Sequence, residues 1–508
     1  MRHRSGEGRR LGFLSFATMG SASAGFDIVN SPTPPDPANL EFTADQMRQM
    51  GGNVLDRVVA HIASLSAQPA MGDVAAEAFC RTMREPAPEL GEALDAVLDP
   101  LFCDYIPRSF TASGPGYLAF IPAGGVFPGA LADLISNGVN RYTGVWMAAP
   151  ALVQLEANVL DWFRDWMQFP ATTRGLLTTG GSMANFNAIV CARERLLGPD
   201  LRDGVLYTST QTHHSVAKSA KLAGILPDRV REIPVDLDFR LEMNALAAAI
   251  DEDRRRGLRP FIVVSNAGTT NTGAVDPLNA VADLCASQGL WHHVDGAYGA
   301  FFHVVDGLRP LLAGLARADS LTLDPHKGLF IPYGTGALLV RDGSALRAAH
   351  EATAGYLPDM VAEEFYDPSQ YGPDLSRGFP GLRVWLAIKL YGAARLRAAI
   401  AEKRQLAVDA ARRIAGIPGI VMDAPPQLSL FAFHLQWPGA SLEQQNIATR
   451  ELLQRVNARQ RVMLTGCTVN EGRFLGRVCV LSFRTRQSEM DMCVDDVAEA
   501  ADAILARC

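Results

Sequence analysis

The central part of this 508-residue chain alternates short apolar runs with segments of helical spacing, and this alternation constrains the fold more than any other feature. One apolar run leads into Gly180, another ends at Asp295, and a third precedes Lys327. Parallel strands need long crossovers, which are usually helical. The pattern therefore predicts an α/β fold with a large, mostly parallel sheet that carries helices on both faces.

The first forty residues differ from the rest in composition. They begin with a basic decapeptide, continue with a weakly apolar stretch at 11–26 and end in a Pro-rich tract at 31–37. The adjacent arginines Arg9 and Arg10 would suit an export signal. The apolar stretch is short, however, and it is interrupted by Gly, Ser and Thr. We therefore expect a disordered extension over residues 1–40.

Two further changes of pattern mark the remaining boundaries. Helical spacing at 46–62 and 90–102 predicts an N-terminal helical segment. Beyond residue 386, helices rich in Ala and Arg lead to strands at 428–435 and 478–483 and to a last amphipathic helix, as in a small α/β domain. We therefore predict a helical segment at 41–125, a large α/β domain at 126–385 and a small C-terminal α/β domain at 386–508.

Composition argues against several classes of protein. A net charge of −7 and an isoelectric point near 5.8 disfavour a nucleic-acid-binding protein, which needs a concentrated basic surface. The apolar stretch at 116–134 contains Pro122, Pro128 and Asp133, so we expect no membrane span. The eight cysteines lack the spacing of metal ligands or disulfides. Such scattered thiols are typical of a reduced, cytoplasmic protein without a metal site.

Lys327 stands between two apolar runs, Ser320-Leu-Thr-Leu before it and Leu329-Phe-Ile after it. Most lysines are solvated surface charges, and a lysine at a strand end usually extends its amine into water. Burial favours the neutral amine, which is the form that attacks a carbonyl group. The position therefore predicts a lysine that binds an aldehyde cofactor.

Asp295 ends the apolar run Leu290-Trp-His-His-Val, and small residues follow it. A carboxylate in a low-dielectric site keeps a pyridine nitrogen protonated, and the protonated ring makes pyridoxal phosphate an electron sink. The alternative interpretation is a carboxylate that caps a turn. Together with Lys327, Asp295 favours a pyridoxal phosphate site.

Gly180, Gly181 and Ser182 form a turn between a strand-like run and a helical pattern. Glycines let the backbone approach an anion, and the first amides of a helix face it with the positive end of the helix dipole. Ser182 is expected to cap the helix that starts there. Many strand-to-helix turns look alike, but this one precedes Asp295 and Lys327 in the chain and is therefore predicted to bind the cofactor phosphate.

Taken in chain order, these motifs resemble the group II pyridoxal-phosphate decarboxylases, the family of the aromatic L-amino acid decarboxylases, from about residue 115 to the C-terminus. The resemblance implies the pyridoxal-phosphate-dependent transferase-like fold (fold type I). In that family the N-terminal helical unit packs on a second subunit. We therefore expect a homodimer in which residues 41–125 form the dimerisation segment.

Two further segments extend the resemblance to single residues. The segment at 211–218 is similar to the one whose histidine stacks on the cofactor ring and contacts the substrate carboxylate, which implies His213 rather than His214. The segment at 266–273 resembles the next motif of the family. This alignment implies that the Asp295 carboxylate pairs with the pyridine nitrogen of the cofactor and that Lys327 binds the cofactor covalently. The residues implied to bind the cofactor are Gly180, Gly181, Ser182, His213, Thr270, Asp295, Ala297, Asp324, His326 and Lys327.

The stretch Glu351-Ala-Thr-Ala-Gly-Tyr356-Leu-Pro resembles the loop that carries the catalytic tyrosine of the family. This resemblance implies that Tyr356 returns a proton to the substrate's α-carbon after carbon dioxide leaves. Family members with phenylalanine at this position react with oxygen and form an aldehyde, so Tyr356 favours an amine product. The alternative is an ordinary aromatic residue on a surface loop.

The substrate pocket is predicted to contain Phe120, Ile121, Arg141 and Tyr142. Phe120 and Tyr142 can hold an indole or phenol ring between them. Arg141 can instead pair with a second carboxylate, which would suit aspartate or glutamate, although we expect it to bind a carboxylate of the protein itself. Gly328 stands where the family carries a bulky residue, which predicts open space beside Lys327.

The expected activity is decarboxylation of an L-amino acid, an aromatic one favoured, to the amine and carbon dioxide. Three alternatives remain open at this point. An oxygen-dependent aldehyde synthase on the same scaffold is disfavoured by Tyr356, and a catalytically silent cofactor-binding dimer has no need of Lys327, Asp295 and His213 together. An aminotransferase shares the fold, but its motifs fit less well.

Overall fold

The computed structural model describes residues 38–351 and 364–507. Tyr356 lies outside the described residues, and so does all but the end of the predicted extension over 1–40. The described chain divides into two compact units, which are treated separately below. One unit consists of the residues up to Ala60 together with Ala75–Arg108, and the other consists of His61–Val74 and the chain from Ser109 onward.

The first unit is helical. Its helices are α1 (Ala44–Ser64, which continues into the other unit), α2 (Glu77–Thr82) and α3 (Leu94–Pro100). The guanidinium of Arg57 on α1 donates to Asp95 and Asp99 on α3, at 2.8 and 2.7 Å. The prediction of a helix at 46–62 is confirmed, but the helix predicted at 90–102 is shorter. Pro100 has no backbone N–H, and the chain continues beyond it as a wider π-helical turn at Leu101–Tyr105.

The second unit contains a seven-stranded sheet. In chain order its strands are β1 (Arg174–Thr178), β2 (Gly204–Ser209), β3 (Val230–Ile233), β4 (Arg259–Asn266), β5 (Trp291–Asp295), β6 (Ser320–Leu323) and β7 (Gly336–Val340). Their spatial order is β1-β7-β6-β5-β4-β2-β3. Only β7 runs antiparallel to its neighbours, β1 and β6. The prediction of a large, mostly parallel sheet is confirmed.

Helices cover both faces of this sheet, as a parallel sheet requires. They are α4 (Phe127–Val139), α5 (Pro150–Trp166), α6 (Gly181–Leu196), α7 (Ser215–Leu222), α8 (Met243–Arg255), α9 (Leu278–Gln288), α10 (Pro325–Gly328) and α11 (Gly343–His350). Successive strand residues point to opposite faces. Leu206 therefore packs with Ile189 of α6, whereas its neighbour Val205 packs with Leu246 of α8 on the other face.

A second, smaller sheet follows the large one. The remaining elements are α12 (Pro380–Ala415), β8 (Ile420–Ala424), β9 (Leu430–Leu435), α13 (Leu442–Ala458), β10 (Thr465–Thr468), β11 (Phe474–Cys479) and α14 (Gln487–Leu505). The strands form an antiparallel sheet in the order β10-β11-β9-β8. The predicted fold class, with its small α/β portion, is confirmed. The predicted domain boundaries stay a prediction.

The strand predicted at 478–483 begins and ends four residues earlier, at Phe474–Cys479. Backbone hydrogen bonds give the reason. The N–H of Val480 donates to the carbonyl of Ser429 at 2.8 Å, and that of Phe483 donates to Ala123 at 3.4 Å. The chain therefore leaves the ladder of the small sheet after Cys479 and bonds to connecting segments.

The space predicted beside Lys327 at Gly328 is filled by Phe301. A Cβ added at Gly328 would lie 2.6 Å from the Cβ of Phe301, which is fully buried. The expectation of open space is therefore wrong, because the Phe301 side chain, from another part of the chain, occupies that space. Among residues 38–351 and 364–507, no helix has both the length and the apolar composition that a membrane crossing requires.

The contact with Phe301 gives a stability prediction. The Gly328→Ala variant should lower the free energy of unfolding by about 1–3 kcal/mol, because the new methyl group overpacks the core. Urea unfolding followed by circular dichroism measures the change. Gly138→Ala in α4 is the matched control, since a Cβ there meets nothing within 4 Å, and it should stabilise the protein by about 0.5–1 kcal/mol. Equal effects of the two substitutions would contradict the packing assignment.

Candidate active site

The strands β1, β2, β4, β5 and β6 share one direction, so their carboxyl ends lie at one edge of the large sheet. A cavity of about 280 Å³ opens at this edge, where open α/β sheets bind their ligands. All ten residues predicted to bind a cofactor line it, namely Gly180, Gly181, Ser182, His213, Thr270, Asp295, Ala297, Asp324, His326 and Lys327. The structure thus brings together side chains that are spread over 148 positions of the sequence, from 180 to 327.

Asp295 is the last residue of β5 and is buried. Its Oδ2 accepts a hydrogen bond from Nδ2 of Asn185 at 2.9 Å, and its Oδ1 accepts one from the backbone N–H of Ala297 at 3.1 Å. These two donors fix the orientation of the carboxylate. Each carboxylate oxygen has a further lone pair, so Asp295 can also accept a hydrogen bond from a ligand in the cavity.

Lys327 lies on α10, and its Nζ is 2.9 Å from Oδ2 of Asp324. Burial on its own would lower the pKa of the Lys327 amine, but the adjacent Asp324 carboxylate outweighs it, so the pKa is raised above its ordinary value. The expectation that burial leaves this amine neutral is therefore not met, because the ion pair with Asp324 favours the ammonium form. The sequence could not reveal this, because the result depends on the distance between the two charges.

The Gly-Gly-Ser turn lies at the start of α6. Gly180 has φ +153° and is the N-cap residue, and the helix begins at Gly181. Ser182 therefore lies within the first turn and makes no capping hydrogen bond, so the prediction that it caps the helix is wrong by two positions. A Cβ at Gly181 would lie 2.9 Å from Oδ2 of Asp324, which shows how closely the backbone approaches the cavity wall.

His213 lies between the end of β2 and the start of α7. Its Nδ1 is 2.8 Å from Oγ of Ser215. Burial lowers the pKa of its imidazole, and the nearby Lys327 acts in the same direction while Asp295 opposes it. His214 is exposed, and its ring centroid lies 4.2 Å from that of His213. Of the two histidines, only His213 lines the cavity.

His326 and Asp324 complete the wall next to Lys327. Nδ1 of His326 is 2.8 Å from the carbonyl oxygen of Thr335, and burial lowers the pKa of its ring. Oδ1 of Asp324 is buried and has no hydrogen-bond partner among the described residues. A buried acceptor of this kind calls for a donor that a bound ligand can supply.

Arg477 on β11 was not predicted, yet it supports the cavity wall. Its guanidinium donates to the carbonyl oxygens of Thr270 and Asn271 and, at 3.3 Å, to that of Phe120. One nitrogen, Nη2, serves both Thr270 and Phe120. The predicted pocket residue Phe120 therefore lies beside the cavity, although its side chain is not part of the lining.

The other predicted pocket residues also lie outside the lining of the cavity. Ile121 is buried in the core of the second unit. Arg141 is exposed, and the Tyr142 hydroxyl donates to the carbonyl oxygen of Leu375 at 3.1 Å. The ring of Phe120 stacks on Tyr117, with 6.4 Å between centroids, rather than facing Tyr142. The assignment of these four residues to a substrate pocket stays a prediction.

Comparison with known proteins agrees with this site. The model of the pyridoxal-dependent decarboxylase conserved domain matches residues 81–436. An aromatic-L-amino-acid decarboxylase of Bacillus atrophaeus is 33% identical over 455 residues, which are 89% of this chain and 95% of the relative. The chain belongs to the pyridoxal-dependent decarboxylase family. It is therefore a carboxy-lyase that depends on pyridoxal phosphate.

Solved structures share the fold over nearly the whole chain. A crystal structure of Oryza sativa TDC with PLP and tryptamine has a TM-score of 0.87 at 26% identity, and the match covers 92% of this chain and 99% of that one. A crystal structure of Rhodiola rosea 4-hydroxyphenylacetaldehyde synthase has a TM-score of 0.84 at 26% identity, with coverage of 91% and 99%. The fold therefore occurs both in a structure with a bound amine and in one of an aldehyde synthase.

The residues present fit pyridoxal phosphate. The close backbone approach at Gly181 and the first amides of α6 suit a phosphate group, and a side chain at Gly181 would fill this cradle. Asp295 offers a fixed acceptor for a protonated ring nitrogen, and Lys327 offers an amine for the aldehyde. The described part of the chain contains no cluster of three His, Cys, Asp or Glu residues that could hold a metal ion.

The ion pair between Asp324 and Lys327 can be tested in the ligand-free enzyme. The Asp324→Asn variant should lower the pKa of Lys327, because it removes the charge that stabilises the ammonium form. The measurement is the pH dependence of reductive methylation of Lys327 by formaldehyde, read by peptide mass spectrometry. The midpoint of that profile should move to lower pH in the variant and stay in place in Asp342→Asn, whose residue is exposed and caps α11. An unmoved midpoint in Asp324→Asn would refute the assignment.

Proposed function

We propose that this enzyme decarboxylates an aromatic L-amino acid to the corresponding amine. The observation that carries the proposal is the convergence of Lys327, Asp295 and His213 in one cavity at the carboxyl edge of the sheet. Bound pyridoxal phosphate supplies an electron sink for the bond that breaks at the α-carbon. The protein must bind that cofactor, orient the substrate carboxylate, exclude water and return a proton.

Each residue has a distinct part in this proposal. The amine Nζ of Lys327 is the attachment point for the cofactor aldehyde, and Asp295 keeps the ring nitrogen protonated. The turn at Gly180, Gly181 and Ser182 would hold the phosphate, and His213 would contact the cofactor ring and orient the substrate carboxylate. Thr270, Ala297, Asp324 and His326 complete the cofactor site. Their position in the lining of one cavity supports these roles.

Tyr356 is proposed as the proton donor to the α-carbon. It lies outside the described residues, so the support is the resemblance of its loop to that of the family. A phenol that delivers the proton promptly leaves little time for reaction with oxygen. This role favours the amine over the aldehyde as the product.

An aromatic substrate is supported by two observations. The relative from Bacillus atrophaeus carries an aromatic-L-amino-acid decarboxylase name at 33% identity. Beside the cavity, Phe120 is 49% exposed and continues a cluster of rings formed with Tyr117 and Phe110. Rings of this kind can stack on an indole or a phenol. Arg141, which would favour an acidic substrate, is exposed and lies outside the cavity lining.

We further propose a cytoplasmic homodimer. Among the described residues, none of helix α1 is buried, and its apolar side chains Met47, Leu55 and Val59 are each about half exposed, at 54%, 44% and 49%. A second copy of the chain would cover such a face. The seven cysteines among the described residues are free thiols, as is typical of proteins in a reducing compartment.

Product analysis tests the reaction and its substrate class together. Purified enzyme supplied with pyridoxal phosphate should release amine and carbon dioxide in equal amounts from tryptophan, tyrosine or phenylalanine, without hydrogen peroxide. Aspartate and glutamate should give no product, because the aromatic cluster offers their second carboxylate no partner. Peroxide, ammonia and aldehyde in place of the amine would instead establish the aldehyde synthase, and turnover of the acidic amino acids would overturn the substrate class.

The role of Tyr356 has its own test. The Tyr356→Phe variant should retain cofactor binding, seen in the visible absorbance, while the product shifts from amine toward aldehyde and peroxide. The shift is expected because phenylalanine has no proton to give. Tyr105→Phe, in the N-terminal unit, is the matched control and should leave the product ratio unchanged. An unaltered amine yield in Tyr356→Phe would exclude this residue as the donor.

A further inference from the structure

Asn185 on α6 uses its full hydrogen-bonding capacity next to the cavity. Its Nδ2 donates to Oδ2 of Asp295 at 2.9 Å and to Oγ of Ser215 at 3.1 Å. Its Oδ1 accepts from Oγ1 of Thr322 at 2.7 Å and lies 3.0 Å from Nε2 of His293. An amide has two N–H donors and two lone pairs, so this buried side chain is saturated.

The chemistry of its neighbours fixes which way the Asn185 amide points. An ionised carboxylate only accepts hydrogen bonds, so the NH₂ group must face Asp295. The amide oxygen then faces His293, whose Nε2 must carry a proton. Burial lowers the pKa of His293 to about 4, so its ring is neutral at physiological pH and its Nδ1 is free to accept from the Ser320 hydroxyl, 2.8 Å away.

The same orientation determines the protonation of His213. Because the Ser215 oxygen already accepts from Asn185, the Ser215 hydroxyl proton is free to be donated to Nδ1 of His213, 2.8 Å away. The backbone N–H of Ser215 also points to this nitrogen, at 3.3 Å. Two donors converge on Nδ1, so the neutral ring must carry its proton on Nε2. None of the residues in the described ranges accepts a hydrogen bond from that Nε2.

We propose that Asn185 and Ser215 are positioning residues that hold His213 as its Nε2–H tautomer, so that a neutral donor faces the carboxylate of the substrate. The assignment of that carboxylate rests on the function proposed above. The same amide orients Asp295. One side chain, Asn185, therefore orients both the carboxylate that accepts from the cofactor ring and the imidazole that donates to the substrate.

A neutral donor suits the loss of carbon dioxide. An imidazolium would attract the carboxylate most strongly before the bond breaks, when the negative charge is still on it, and would thereby stabilise the ground state relative to the transition state. A neutral N–H orients the substrate carboxylate and stabilises the ground state less than an imidazolium would. The lowered pKa of His213, which arises first from burial, agrees with a neutral ring.

Nitrogen NMR of the ligand-free protein reads the tautomer directly. Protein labelled with ¹⁵N-histidine should give a pyridine-like shift for Nδ1 of His213 and a pyrrole-like shift for its Nε2. The His213→Gln variant identifies the signals by their loss. A proton on Nδ1, or on both nitrogens near neutral pH, would overturn the proposal without any measurement of turnover.

Substitutions at Ser215 test the positioning role. Ser215→Ala removes one of the two donors, so the two nitrogen shifts should move toward their average, and kcat/KM should fall about tenfold, as for the loss of one hydrogen bond. Ser215→Thr keeps the hydroxyl and should restore the wild-type shifts. Ser219→Ala is the matched control, because this buried hydroxyl on α7 donates to Ser182 rather than to His213.

The outcomes separate this inference from the proposed function. Unchanged shifts in Ser215→Ala would refute the role of Ser215. If Ser215→Thr fails to fold, the nitrogen shifts of the wild-type protein still test the tautomer of His213. The comparison of Ser215→Ala with Ser219→Ala still tests the role of Ser215. The predicted shifts in an enzyme that turns over no amino acid would uphold the tautomer and overturn the proposed reaction instead.

Discussion

The shared direction of the parallel strands is the constraint on which the rest of the site depends. Because β4, β5 and β6 end at the same edge, Asn266, Asp295 and the Asp324–Lys327 pair meet there although they are far apart in the sequence. Helix α6 follows β1 and begins at that edge, where it brings its first amides and Asn185. One strand, β7, lies between β1 and β6 and is antiparallel to both, so β1 and β6 still run in the same direction.

Position, rather than protonation state, distinguishes Lys327, the proposed cofactor lysine, from the other lysines of the chain. The chain has only five lysines, Lys218, Lys221, Lys327, Lys389 and Lys403. Lys403 is fully buried; its Nζ donates to the carbonyl oxygen of Thr485 at 2.5 Å and pairs with Glu402 at 3.0 Å. Burial lowers the pKa of Lys403, with Glu402 opposing, so it reaches the neutral form more easily than Lys327 does. Of the five lysines, however, only Lys327 lines the cavity.

The raised pKa of Lys327 is compatible with its proposed part. The Lys327 ammonium and the Asp324 carboxylate neutralise each other inside the cavity, which reduces the cost of burying two charges. Attachment of an aldehyde requires the amine to lose its proton, and Oδ2 of Asp324 is an acceptor 2.9 Å away. The carboxylate that stabilises the resting ammonium is therefore also placed to receive its proton.

Much of the fold and of the cofactor site could be predicted from the sequence because both depend on local patterns. Strand and helix periodicity predicted the mostly parallel sheet, and short motifs at strand ends predicted the residues that line the cavity. The contacts of Asn185 and Arg477 could not be predicted, because they join residues 110 and 207 positions apart. The available signal for Asn185 was a pair of polar residues, Asn185 and Asn187, among the apolar residues of a helical pattern.

The four residues predicted for the substrate pocket lie outside the lining of this cavity, and their assignment stays a prediction. The positions of Phe120, Arg141 and Tyr142 depend on how connecting segments pack, and no periodicity in the sequence encodes that packing. The exposed Phe120 side chain and the exposed apolar face of α1 are surfaces that a second copy of the chain can cover.

The central claim is that Lys327 carries the cofactor, and its most direct test is covalent trapping. The enzyme with bound pyridoxal phosphate is reduced with borohydride, digested and analysed by mass spectrometry for the added pyridoxyl phosphate group. With only five lysines in the chain, the assignment is unambiguous. The account predicts that the added mass is found on the peptide that contains Lys327 and on no other lysine. The added mass on Lys403, or on any of the other three, would contradict it.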